Sequence, residues 1–211
     1  MAKICNEFDS FFDAWHQPLW RLCFLITRGK APAEELAFQT FLRLGAAKES
    51  GLGMEQARTL LFERAVYLGT DYFIHRPHRL PRRENMGIAV TEGLYRLMKL
   101  PLNRRCALCL SAEGFTPEEI AGLLHVRPAR ARRLCADPGI PHWREDLLAV
   151  CHSEEDAQLL NDRIYERFSQ RSVGVENAIH AIRQGFDRIA PYLALAVLAL
   201  FALSIWYVSR L

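Results

Sequence analysis

Apolar residues recur along most of this chain at three- and four-residue intervals, the period of helices that each bury one face. Phe11, Phe12, Trp15, Leu19 and Leu22 keep that period, as do Leu36, Phe41 and Leu44, and later Leu60, Leu61, Ala65 and Leu68. Gly45 to Gly53 holds Lys48, Glu49 and Ser50 between glycines and reads as a loop between helices. His75 to Gly87 carries Pro77 and Pro81 among basic residues, a placement that interrupts any helix. The period resumes from Thr91 to Ala136 and closes at Asp137-Pro138-Gly139. Pro141 to Arg188 is polar and amphipathic, helical in places. No strand-like alternation, repeat or low-complexity run occurs. The expected fold is all-α: two small helical domains, residues 1–76 and 91–136, joined by a basic linker at 77–90. An extension at 137–188 then leads to a C-terminal transmembrane helix at 189–208.

The sharpest local signal lies between Leu100 and Leu134, where three short helices end in a helix-turn-helix. Thr116 is placed as an N-cap, Pro117 as the first helical residue and Glu119 three residues past the cap, which together form a capping box. Ile120, Leu123 and Leu124 make the inner stripe of that helix, small Ala121 allows a close crossing, and Val126 plugs the turn. The next helix, from about Pro128, turns Ala131, Leu134 and Cys135 inward and Arg130, Arg132 and Arg133 outward, with Arg127 at its entry. A helix so built suits a DNA major groove, where arginine meets phosphates and guanine edges. A helical hairpin with a solvated basic face is the plainer alternative.

Charge sharpens this picture. The net charge is only +3, so nucleic-acid affinity has to come from local patches. Arg127 to Arg133 is one patch; His75 to Arg83, with Arg76, Arg79, Arg82 and Arg83, is the other. The opening residues, Met1 to Asp13, carry Lys3, Glu7, Asp9 and Asp13 and do not read as a secretory signal. Ile189 to Val208, by contrast, is an uncharged run that would span roughly 30 Å as a helix, the depth of a bilayer core. Tyr192 falls near one interface, Trp206 and Tyr207 near the other. Arg167, Arg171, Arg183 and Arg188 precede it and Arg210 follows, which by the positive-inside rule puts the N-terminal part in the cytoplasm. The expected location is the cytoplasmic membrane, with a single pass.

Six cysteines on a reducing side of the membrane argue against disulfides. Cys106 and Cys109 share an inward stripe with Leu102 and Leu110, no second pair completes a zinc site, and core packing explains them. Cys151-His152 has no partner at metal spacing, so neither metal nor cofactor is expected. A phosphate loop, a nucleophile elbow and a paired-carboxylate constellation are all missing, so no enzyme is expected either.

Pro32 to Arg43 reads Pro-Ala-Glu-Glu-Leu-Ala-Phe-Gln-Thr-Phe-Leu-Arg. It resembles the Asp-Ala-Glu-Asp-Leu-Val-Gln-Glu-Thr-Phe-Leu-Arg pattern of bacterial sigma factors of the extracytoplasmic-function (ECF) type. Ala33, Glu34, Leu36, Thr40, Phe41, Leu42 and Arg43 are identical, and Glu35 keeps the charge. Leu100-Pro101, Arg105, Gly114-Phe115, Glu118-Glu119-Ile120-Ala121 and Leu124 are similar to the family's region 4. The resemblance covers Phe8 to about Cys135. It makes residues 1–76 a region 2-like domain and residues 91–136 a region 4-like domain. It implies core RNA polymerase as partner, its β′ clamp meeting Glu34, Glu35, Leu36, Phe41 and Arg43, and its β flap meeting the second domain. It also implies promoter DNA, held by Arg127, Arg130, Arg132 and Arg133 and by Tyr67, Tyr72, Arg76 and Arg79 of the strand-separating region.

The chain departs from the pattern at Pro32, Phe38 and Gln39. Leu60-Leu61 and Tyr67 stand where the family has Trp-Leu and Asn in its melting helix, while Asp71-Tyr72 is kept. Arg163 to Arg188, with Tyr165-Glu166-Arg167-Phe168-Ser169, faintly resembles the juxtamembrane part of an anti-sigma protein. The expectation is a membrane-tethered sigma factor, with an anti-sigma protein or a protease as its regulator. The rival is a tethered adaptor, signalling or anti-sigma in role, that binds polymerase or a partner without melting promoters. A redox or metal enzyme built on Cys106 and Cys109 is a distant third.

Overall fold

The computed structural model describes residues 2–48, 53–75 and 80–170, and every regular element among them is helical, so the fold is all-α. The first three helices, α1 (Ala2–Thr27), α2 (Lys30–Lys48) and α3 (Met54–Ile74), pack mutually. Their inner stripes supply the core: Phe11, Leu19, Leu22 and Phe24 from α1, Ala37, Phe41 and Leu44 from α2, Leu61, Phe62 and Ala65 from α3. Close approach of α3 to α1 depends on Gly69, since a Cβ there would fall 2.7 Å from Ile26 Cδ1. The α2 helix runs through Gly45 to Lys48, beyond the start of the expected loop, because packing of Phe41 and Leu44 carries it past a weak helix former.

A short 3₁₀ turn at Arg83–Asn85 stands in the expected linker, and the backbone N–H of Lys30 donates to Met86 O at 2.9 Å. Then come α4 (Glu92–Lys99), α5 (Leu102–Ala112), α6 (Pro117–Leu123) and α7 (Pro128–Leu134). Thr91 caps α4 through its side chain, accepting from Leu94 N at 3.1 Å. The extension supplies α8 (Trp143–Leu148) and α9, which begins at residue 154. Ala157, Leu160 and Ile164 of α9 are buried.

Residues 1–165 form one compact unit in which the first three helices and the later ones share a core. Arg105 is fully buried and donates from Nη2 to Ile26 O at 3.1 Å and from Nη1 to Met98 O and Leu100 O at 3.2 and 3.3 Å. Its guanidinium also lies 5.1 Å from the centre of the Phe73 ring. Burial, with Arg28 nearby, pulls its pKa down to about 10. Arg21 pairs with Glu113 at 2.7 Å and donates to Val150 O at 2.9 Å, so one side chain joins α1, the end of α5 and the extension. The Phe62 and Phe115 rings meet edge-on at 4.8 Å, and Arg58 lies between Phe115 and Trp15, at 4.0 and 5.0 Å from their centres.

Residues 166–211 form a second unit. Its described part, residues 166–170, is helical, and Ser169 Oγ donates to Glu166 O at 2.8 Å. No helix among the described residues is long and apolar enough to cross a membrane. The uncharged run Ile189 to Val208 lies outside the described residues.

Candidate nucleic-acid interface

The α6 helix starts where its sequence says it should. Thr116 Oγ1 accepts from Glu119 N at 3.2 Å, and Glu119 Oε2 accepts from Thr116 N at 2.7 Å, closing the capping box in both directions. The Thr116 backbone N–H, together with the Thr116 hydroxyl, holds the Glu119 carboxyl below the usual carboxylate range. Ile120, Ala121 and Leu123 are buried beneath α6. The turn to α7 passes through His125 in the left-handed region (φ 50°), and Val126 N donates to Ala121 O at 3.0 Å, folding the second helix back across the first. Pro128 opens α7 at a position where no backbone N–H is needed.

On α7 only Ala131 is fully buried, while Leu134 and Cys135 are half-buried against α5, with Cys135 Sγ 3.8 Å from Ala107 O. Arg127, Arg130, Arg132 and Arg133 are all exposed. Arg132 makes a loose pair with Glu118 at 3.5 Å, too exposed to hold it from another partner. The helix-turn-helix thus presents a row of arginine heads on a rigid support, which is what contact with a polyanion needs.

The residues expected to separate strands fare differently. Tyr67 is exposed on α3, and Tyr72 is half-buried. Phe73 faces the Arg105 and Arg28 guanidinium groups, 5.1 and 5.6 Å from its ring centre. Arg76 and Arg79 lie outside the described residues. The expected polymerase-contact residues divide as well. Glu35 and Arg43 are exposed and Glu34 is half-buried, but Leu36 and Phe41 are core, at 6% and 0% exposure. Phe41 packs against Phe8 and Phe12, with ring centres 6.2 and 5.1 Å away. Helical period alone makes Leu36 and Phe41 apolar, so their match to the family pattern is also what a core would produce.

Glu35 already has a partner: Arg163 of α9 reaches it at 3.2 Å and lies 4.4 Å from the Phe38 ring centre. Two other placements have no signal in the local sequence. Arg105 belongs to the family resemblance, but nothing in the sequence marks its burial; His152 sits beside Glu34 and Asp156, with their ligand-type atoms all within 4.8 Å. Cys106 and Cys109 are buried on α5, and burial pushes the Cys106 thiol up to about 12 and raises that of Cys109 well above its ordinary value. Searches among family models, curated proteins and solved structures gave no match to this chain.

Proposed function

We propose that this chain is a membrane-tethered transcription factor of the ECF sigma type, which brings core RNA polymerase to promoter DNA without performing chemistry of its own. The observation that carries this reading is the exposed set of Arg127 at the entry to the second helix of a helix-turn-helix, and Arg130, Arg132 and Arg133 along it, beside a closed capping box. In this reading α7 lies in the major groove of the upstream element, and the β flap meets the same domain. The β′ clamp meets α2 through the exposed Glu35 and Arg43, with Leu36 and Phe41 setting the helix on its core. The tether is the run from Ile189 to Val208.

The second reading, a tethered adaptor that binds polymerase or a partner without melting promoters, also has an observation behind it. Arg163 of α9 reaches Glu35 at 3.2 Å, so a partner that binds the acidic side of α2 meets a cation of this chain already there.

One experiment separates the two. Full-length protein in detergent micelles is mixed with core polymerase and with genomic fragments that the complex selects. Gel-shift affinity is then measured at two salt concentrations, followed by run-off transcription. A log–log salt slope of roughly −0.9 per phosphate contact is expected, with Arg130→Ala and Arg133→Ala each weakening binding. A purely phosphate contact lowers affinity alike on all sequences, and its loss reduces the slope by about one. A guanine reader loses preference at one base pair instead, worth about 1–3 kcal/mol. Equal affinities and slopes for wild type and variants would remove the DNA-reading role. Binding without transcripts would favour the adaptor.

A further inference from the structure

One cluster lies apart from the helix-turn-helix and joins α2 to the start of α9. Glu34, His152 and Asp156 bring one imidazole and two carboxylates together, their nearest ligand-type atoms all within 4.8 Å. His152 is buried, at 3% exposure, yet neither Nδ1 nor Nε2 has a hydrogen-bond partner. Its Nε2 faces Glu34 Oε1 at 3.6 Å, and that oxygen accepts no hydrogen bond either. Idle polar atoms in a buried place are costly and call for an explanation.

The imidazole is held there from several sides. Gln17 of α1 clasps the His152 backbone, its Nε2 donating to His152 O at 2.7 Å while His152 N donates to Gln17 Oε1 at 2.9 Å. Trp20 stacks on the ring with centres 5.0 Å apart. Asp156 is turned by a hydrogen bond from the Ser153 hydroxyl. Lys30 is the resident cation, its Nζ 2.7 Å from Asp156 and 3.8 Å from Glu34. It neutralises only one of the two carboxylates, and its side chain is about a third exposed (34%) on a flexible stem that can swing away.

We propose that Glu34, His152 and Asp156 bind a divalent transition-metal ion of the zinc class, which takes the place of the Lys30 ammonium between the carboxylates. One imidazole nitrogen with two carboxylate oxygens is a borderline donor set, better suited to zinc than to magnesium or calcium. Three protein ligands leave a fourth position for water. The ion supplies His152 with the partner it lacks and balances the charge that Lys30 leaves over. This site does not depend on whether the chain binds polymerase.

The test uses full-length protein in detergent micelles, titrated with zinc chloride and, as a spectroscopic probe, with cobalt(II). One ion per chain is expected, with a raised melting temperature because the ion binds only the folded state. The cobalt spectrum should lack a thiolate-to-metal band, since the six cysteines are the rival ligands. His152→Gln and Glu34→Gln should each weaken zinc binding at least about tenfold, in line with what even supporting residues of metal sites cost. Asp156→Asn serves as the third arm should His152→Gln fail to fold. Lys30→Ala, which removes the competing cation, should strengthen binding. A thiolate band, undiminished binding in the folded ligand variants, or no binding by either wild type or Lys30→Ala would each overturn the site.

Discussion

Arg105 of α5 has no carboxylate partner among the described residues, yet it is sealed against α1, α4 and the turn before α5. Its guanidinium serves three backbone carbonyls, one of them Ile26 O in the last turn of α1, where the helix dipole favours a positive charge. A planar fork of five N–H donors can reach several acceptors at once, which a lysine ammonium on a single stem cannot. Arg105→Ala is therefore expected to destabilise the fold by roughly 3 kcal/mol or more, because it leaves those carbonyls buried and unpaired. Arg105→Lys should recover only part of that loss. Urea unfolding of both variants measures it, and a wild-type midpoint for Arg105→Ala would show that the carbonyls find other partners. The sequence shows an arginine of a region 4-like helix at this position, but not its partners. Ile26 lies 79 residues away, and no local pattern encodes a contact at that separation.

The elements themselves were far more legible, because caps and periods are local. The capping box at Thr116 and Glu119, the proline opening α7 and the inward Ala131 are all where the residues place them. The end of α2 was less so: Gly45 signals a stop, and tertiary packing overrides it. At α6, Thr116→Ala should cost about 1 kcal/mol. The Glu119 carboxyl, held below its ordinary value near 4.5, adds a pH dependence of definite sign. Its contribution is complete above that ordinary value and disappears as the pH falls through the lowered folded-state value. Glu119→Gln keeps the reciprocal cap and removes the charge, so its stability should vary less with acid than that of wild type. Thermal melts from neutral to acid pH check both, and parallel curves would show that Glu119 titrates alike in folded and unfolded chains. The site was legible only in part. The outward arginines of α7 follow from helical period, whereas the Glu34–His152–Asp156 cluster joins segments more than a hundred residues apart and leaves no spacing to read.

At the scale of the whole molecule, the proposed tether would set the uncharged run Ile189 to Val208 apart from the all-helical unit of residues 1–165. The full-length chain should sediment with membranes and resist alkaline extraction, while a chain ended at Arg188 should stay in the supernatant; equal partition would dismiss the anchor. The expected division into separate helical domains, read from the prolines at 77 and 81, does not anticipate how Arg21, Arg58 and Arg105 draw the first three helices and the later ones onto one core. That core closes across long stretches of chain. Gln17 clasps His152 from 135 residues away, Arg21 reaches Val150 O from 129, and Tyr165 donates to Asp9 from 156. During synthesis α1 leaves the ribosome well before the side chains that cover Trp20 and Asp9, which are translated after α7 is complete. For most of translation the α1 face bearing Trp20 and Asp9 lacks those partners, while helices made later can already form their local contacts. A helix made early is thus finished late.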